Sequence, residues 1–133
     1  MRLVFSFIVG NSDMHLKNLS LIEKSPRSLI YVLSPAYDIL PVNIVNPGDN
    51  EDMALTLNGK KSHLRKKDFV AFGVKIGLSE PSMGKMMKDI CRRKNAFLRL
   101  IDDSLLPEEM KASLASLLED RCLRLGFGEA DKP

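Results

Sequence analysis

The sequence predicts an α+β domain in which a small antiparallel β-hairpin precedes a mostly helical remainder. Two short runs of strand-forming residues flank a polar, Pro-containing turn between residues 19 and 33. From residue 66 onward, apolar residues recur at the spacing of an α-helix. The chain has 133 residues, of which 44% are hydrophobic and 28% charged, values typical of one globular domain with its own core.

The first element is an apolar segment, residues 1–9, which we interpret as a buried helix. The turn-forming residues 10–13 end that helix. The hairpin then has one strand in residues 19–22 and a second in residues 29–33, with the polar turn in residues 23–28.

The segment after the hairpin is less regular. Residues 41–52 contain two Pro, one Gly and several Asn and Asp, a composition that predicts a loop. Residues 53–57 predict a strand, and Asn58 and Gly59 predict a tight turn at its end.

Three helical stretches follow. The first is predicted to start at residues 64–66 and to end between residues 73 and 77. Ser79 predicts the start of the next stretch, which has Pro81 in its first turn, and residues 105–109 predict the start of the last. We expect the polar tail, residues 129–133, to fray. The apolar positions at helical spacing, whose Met residues we interpret as core, are Met83, Met86, Met87, Ile90, Cys91, Phe97, Leu98, Ile101, Met110, Leu114, Leu117, Leu118, Cys122 and Leu125.

Charge and composition exclude several classes of protein. A net charge of +3 does not call for nucleic acid or an anionic membrane as partner. No apolar run is long enough for a membrane span, so we expect no membrane partner. Cys91 and Cys122 lack metal-ligand spacing, which indicates two buried thiols in a reducing cytoplasm. The basic run at residues 60–67 is interpreted as a solvated face, with an acidic partner or nucleic acid as the alternative.

Residues 10–18, Gly-Asn-Ser-Asp-Met-His-Leu-Lys-Asn, concentrate polar chemistry between two apolar runs. Asp13 and Asn18 have the D-x-x-x-x-N spacing of a kinase catalytic loop, in which the Asp accepts the hydroxyl proton and the Asn binds Mg²⁺. A kinase also needs a second metal ligand, an Asp that follows a hairpin, and Asp38 lies at that place between Tyr37 and Ile39. The order loop, hairpin, Asp therefore indicates phosphoryl transfer.

These segments resemble the HipA-like serine/threonine protein kinases. Residues 11–18 are similar to the family's N/T-x-D-x-H-x-K-N loop, and residues 33–39 to its L-x-P-x-Y-D-[IL] segment. Residues 54–61 are similar to the strand and turn that follow in the family. The resemblance implies the C-terminal lobe of a protein-kinase-like fold over residues 1–133, with the site in residues 1–61 and a helical part in residues 62–133.

The resemblance also implies roles for individual residues. Asp13 would be the catalytic base, and Asn18 and Asp38 would bind Mg²⁺, with ATP as the phosphate donor. His15 and Lys17 would shape the loop or meet the phosphate. The family implies phosphorylation of a serine or threonine in a protein substrate, an aminoacyl-tRNA synthetase in studied members. It also implies a toxin–antitoxin setting, with a helix-turn-helix antitoxin as partner and nucleic acid reached only through that antitoxin.

The sequence departs from the family where ATP should be clamped. Gly10 stands alone, and no strand lysine precedes the catalytic loop. The chain is then a truncated kinase, one product of a split gene that needs a separate N-terminal lobe, or a remnant. We expect little activity alone. A missing lobe would uncover apolar surface, with Leu3, Phe5 and Phe7 as candidates, and would favour a homo-oligomer or a partner protein.

Simpler interpretations of the same residues stay open. Asp13 could cap a turn, Asp38 could begin a helix, and Asn18 could be a turn residue at a strand edge. Three hypotheses follow: an incomplete kinase, an inactive kinase-like module that binds an antitoxin or regulator, and a metal-dependent hydrolase using Asp13, His15 and Asp38. Asn18 favours the kinase over the hydrolase, but the first two hypotheses share all their residues.

Overall fold

The computed structural model describes residues 1–128 and has the predicted α+β architecture, a two-stranded antiparallel sheet beside a group of helices. The predicted tail at residues 129–133 lies outside the described residues. In chain order the elements are α1 (Arg2–Ile8), a 3₁₀ helix (Leu16–Asn18), β1 (Leu21–Glu23), β2 (Tyr31–Leu33), α2 (Val42–Val45), α3 (Lys66–Lys75), α4 (Glu80–Cys91), α5 (Lys94–Asp102) and α6 (Glu108–Arg124).

Helix α1 is the centre of the core, as its apolar composition predicted. It contacts both α4 and α6, and Phe7 and Ile8 are fully buried. The Phe7 ring lies 5.0 Å from the ring of Phe69 on α3. The expectation that Phe7 would be uncovered is therefore wrong, and Leu3 and Phe5 are partly buried against the same core.

The later helices begin close to their predicted starts. Ser79 accepts a hydrogen bond from the N–H of Ser82, which caps α4 as predicted. The apolar periodicity through residues 83–101 is not one helix, because the chain turns at Arg92 and Arg93 and divides it into α4 and α5. Met83 and Met87 are buried in the core, as are both cysteines, which are free thiols.

Two predictions about the middle of the chain need correction. The predicted loop at residues 41–52 contains the short helix α2. Residues 53–57 do not form a strand, because Leu57 pairs only with Lys60 across the predicted Asn58-Gly59 turn. That turn is confirmed, with φ values of 51° at Asn58 and 76° at Gly59. Met53 and Leu57 are nevertheless buried, so burial rather than strand pairing holds this segment.

The end of α6 is joined to the rest of the fold by a buried ion-pair cluster. The carboxylate of Asp52 lies 2.5 Å from Arg121 and 2.5 Å from Arg124, and it also accepts the Leu64 N–H at 2.7 Å. Both guanidinium groups lie over the Phe7 ring, at 4.5 Å and 5.1 Å from its centre. Arg121 and Arg124 lie in the last turn of α6, and their pairing with Asp52 joins that turn to the segment before α3.

The hairpin is the least covered part of the fold. Leu21 pairs with Leu33 and Ile22 pairs with Val32, so neighbouring pairs point to opposite faces of the sheet. All four side chains are exposed. The uncovered apolar surface expected for an isolated lobe therefore lies on the hairpin and not on α1. Among residues 1–128, no helix is both long enough and apolar enough to cross a membrane.

Candidate active site

The loop at residues 10–18 starts where α1 ends. Gly10 has a φ of +73°, and a Cβ atom there would collide with Leu117 of α6. The chain can therefore turn sharply under α6 only with glycine at this position. Asn11 and Ser12 are buried directly after the turn, which fixes the first half of the loop against the helices.

Two of the predicted site residues are in direct contact. The Asn18 side-chain amide donates a hydrogen bond to the Asp38 carboxylate at 2.6 Å. The Asn18 oxygen accepts the backbone N–H of His15 at 3.0 Å, which fixes the orientation of the amide within the loop. Asn18 and Asp38 are 20 residues apart in sequence, and their contact brings the loop and the segment after the hairpin into one surface site.

Two further hydrogen bonds hold the same two segments together. The Tyr37 hydroxyl donates to the backbone carbonyl of Lys17 at 3.0 Å. The Asn11 amide donates to the backbone carbonyl of Asp38 at 3.5 Å. Sequence reasoning missed the part played by Asn11, although its position between a turn and a predicted catalytic Asp was a usable signal.

Asp38 has an unusual backbone conformation. Its φ is 54°, in the left-handed region that Asp tolerates better than most residues. No helix starts at Asp38, since α2 begins at Val42 with Pro41 as its cap. The helix-start interpretation is therefore wrong, and the local strain instead presents an exposed carboxylate beside Asn18.

Asp13 and Lys17 are exposed on the loop, and His15 is partly buried. Among residues 1–128, the Asp13 side chain makes no hydrogen bond or ion pair with Asn18 or Asp38. In the same part of the chain, no three His, Cys, Asp or Glu side chains lie close enough to share a metal ion. Asp13, His15 and Asp38 thus do not form the three-ligand site that the hydrolase hypothesis requires.

The contacting pair does suit a magnesium ion. An amide oxygen and a carboxylate are hard ligands, and Mg²⁺ keeps several waters when only one or two protein groups bind it. Asp38 is exposed, which leaves room for those waters and for phosphate oxygens. Asn18 would have to offer the second lone pair of the oxygen that already accepts the His15 N–H.

A second group of polar residues lies between the loop and α6 and holds the loop in place. The sequence analysis did not predict this group. Ser12 donates to the Asp49 carboxylate at 2.6 Å. Asn43 donates to the backbone carbonyls of Asp49 at 2.9 Å and Glu51 at 3.0 Å, and it accepts from Arg121 at 3.3 Å. The hydrogen bond from Ser12, followed by that from the Glu51 N–H, lowers the pKa of Asp49.

The chain is similar to several known proteins. The family model of the HipA-like C-terminal domain matches residues 1–97. A Sinorhizobium fredii protein named "Putative kinase Y4dM" is 40% identical over 80 residues, which cover 59% of this chain and 19% of that protein. A Haemophilus influenzae protein named "Putative kinase" is 25% identical over 123 residues, which cover 80% of this chain and 35% of that protein.

The fold also matches a solved structure. A chain in the complex of the Shewanella oneidensis MR-1 toxin–antitoxin proteins HipA and HipB with operator DNA superposes with a TM-score of 0.77 at 24% identity. The match covers 93% of this chain and 30% of that chain. The chain thus spans about a third or less of the proteins that it matches.

Proposed function

Because the chain belongs to the family of HipA-like C-terminal domains, we propose that it is the C-terminal lobe of a serine/threonine protein kinase. The single observation that supports this function most is the contact between Asn18 and Asp38. It joins the end of the D-x-x-x-x-N loop to the Asp after the hairpin, the two positions from which protein kinases bind their metal ions.

In the proposed reaction, Asp13 accepts the proton of the attacking hydroxyl of a substrate serine or threonine. Asn18 and Asp38 hold Mg²⁺, which neutralises charge on the ATP phosphates when bound. The exposed Lys17 supplies a positive charge toward the transferred phosphoryl group. His15 holds the loop in shape, since its backbone N–H fixes the Asn18 amide.

We propose that this lobe acts together with an N-terminal lobe that clamps the ATP phosphates. The exposed apolar side chains on both faces of the hairpin support this, because a surface of this kind marks an interaction site. The matched proteins are also about three or more times longer than the part that this chain covers. The lobe could come from the same polypeptide or from a separate one.

The partners that we propose for this chain are those of the family. We propose a helix-turn-helix antitoxin as a protein partner, as HipB accompanies HipA in the matched complex. Nucleic acid would be reached only through that antitoxin, and the cell compartment would be the cytoplasm. An aminoacyl-tRNA synthetase is the proposed class of protein substrate.

One observation favours a second function, an inactive kinase-like module that binds an antitoxin or regulator. The Asn18 amide already donates to the Asp38 carboxylate, so this pair is satisfied without a metal ion. A lobe that only binds a partner would need this hydrogen bond to hold its loop and would need no metal ion.

Reconstituted phosphate transfer separates the two functions. The chain is mixed with an N-terminal lobe of the family, Mg²⁺ and labelled ATP, and transfer to a serine or threonine is measured. Asp13→Asn should lower kcat by about 100-fold or more, since it removes the base. Asp38→Asn should also lower transfer, with partial recovery at high Mg²⁺. Asp103→Asn, at the exposed end of α5, is the control that should behave as the unmodified chain.

Full activity of the Asp13→Asn variant would remove the proposed base. If no N-terminal lobe of the family supports transfer, the inactive binding module becomes the better description.

A further inference from the structure

The loop that carries Asp13 is attached to the fold by a polar network that begins at the end of α6. Arg121 is almost fully buried and donates to the Asn43 side chain at 3.3 Å. The other side of the Asn43 amide donates to the carbonyls of Asp49 and Glu51. One side chain thus fixes the path of the segment at residues 49–51 relative to α6.

The loop at residues 10–18 is held at two points, by Asp49 of that segment and by the backbone of Asn43 on α2. The Asp49 carboxylate accepts the buried Ser12 hydroxyl at 2.6 Å, a short, charge-assisted hydrogen bond. Its other oxygen accepts the Glu51 N–H at 3.0 Å, so the carboxylate cannot easily turn away. The Asn43 N–H also points to the Gly10 carbonyl at 3.4 Å.

Asp13 itself is positioned only through its neighbours in sequence. Asp13 is exposed, and its side chain has no hydrogen bond or ion pair to another side chain among residues 1–128. Ser12 on one side is held by Asp49, and Met14 on the other is buried, with the Ser6 hydroxyl 3.0 Å from its sulfur. A small shift of Ser12 would therefore move Asp13 directly.

We propose that the Ser12–Asp49 hydrogen bond is a latch that positions Asp13, with Asn43 and Arg121 holding the latch in place. As far as it concerns phosphate transfer, this inference rests on the proposed function. Ser12 and Asp49 are positioning residues, because neither would touch the reacting atoms. The latch couples the segment after Asp38 to the loop before Asn18, so both halves of the site move together.

The latch predicts a particular change in kinetics. Displacing a catalytic group by about 1 Å can lower the rate about 100-fold. Ser12→Ala should therefore lower kcat by about 10-fold to 100-fold and leave the KM for ATP almost unchanged. Ser12→Thr keeps the hydroxyl and should retain most of kcat. A purely structural role would lower the amount of folded protein and leave kcat per folded molecule intact.

The first test uses the 133-residue chain and needs no activity. Hydrogen exchange of the backbone amides in residues 11–18 is measured by mass spectrometry for Ser12→Ala, for Asp49→Ala and for the double variant. Exchange should become at least several-fold faster in each single variant, and the double variant should add nothing further. Ser20→Ala is the control, because Ser20 is exposed and its hydroxyl makes no hydrogen bond within residues 1–128. Unchanged exchange in Ser12→Ala would overturn the latch.

The second test repeats the phosphate-transfer assay with Ser12→Ala and Ser12→Thr. Wild-type kcat in Ser12→Ala would overturn the inference, and a loss that Ser12→Thr restores would support it. If the unmodified chain transfers no phosphate while exchange in residues 11–18 still responds to Ser12→Ala, the latch is supported and the kinase proposal alone is refuted.

Discussion

The Asp52 cluster offers the sharpest test of how this fold is held together. Asp52→Asn keeps the size of the side chain and removes the charge that lies between Arg121 and Arg124. The side chains of Asp52 and Arg121 are each 5% exposed, and that of Arg124 is 22% exposed. The other carboxylate at the cluster, Asp120, is 3.7 Å from Arg124 and largely exposed, so it cannot replace Asp52.

The size of the effect follows from this burial. Removing one partner from a buried ion pair costs about 3–5 kcal/mol, since the remaining charge stays desolvated. The variant would also weaken the acceptor for the Leu64 N–H. Because a domain of this kind is stable by about 5–15 kcal/mol, Asp52→Asn should remove a large fraction of the free energy of unfolding.

Urea unfolding followed by circular dichroism measures this loss. The matched control is Glu108→Gln, which breaks the Glu108–Lys111 ion pair at the surface, where Glu108 is 87% exposed. That change should cost less than about 1 kcal/mol. If Asp52→Asn costs no more than Glu108→Gln, the cluster does not hold α6 to the core and our reasoning about it is wrong.

Three further predictions concern the turn, the acid response and the hairpin. Gly10→Ala should lower the free energy of unfolding by about 1–3 kcal/mol, because Gly10 has a positive φ and an added Cβ atom would collide with Leu117. Gly84 on α4 has open space around it, so Gly84→Ala should raise the free energy of unfolding by about 0.5–1 kcal/mol. Equal effects of the two substitutions would contradict this reasoning. Burial by itself would raise the pKa of Asp68, but hydrogen bonds from Asn58, Arg65 and Lys60 outweigh it and hold the pKa below its ordinary 3.8. The ionised Asp68 therefore stabilises the fold above about pH 4, and this stabilisation is lost as pH falls below that value. The urea midpoint of Asp68→Asn should be lower than that of the unmodified chain at pH 7, and it should fall less than that of the unmodified chain between pH 5 and 3. Leu21→Lys and Ile22→Lys should reduce self-association in sedimentation experiments, and Leu105→Lys, at a more exposed leucine off the hairpin, should not; a monomeric unmodified chain would contradict the prediction.

Much of the fold was readable from the sequence because it depends on local patterns. Strand-forming residues on either side of a polar turn indicated the hairpin, and Ser79 with Pro81 indicated the start of α4. The spacing from Asp13 to Asn18 and the place of Asp38 after the hairpin indicated the candidate site. Each of these signals lies within a few residues, where backbone geometry and side-chain spacing determine the outcome.

Only the tertiary structure decided which distant residues meet. Asp52 and Arg124 are 72 positions apart in sequence, and Ser12 and Asp49 are 37 apart, so no local pattern links them. The predicted strand at residues 53–57 failed for the same reason, since a strand exists only where a partner strand pairs with it. Burial of Phe7 and exposure of the hairpin were likewise set by how the helices pack around α1, which the composition of each segment does not specify.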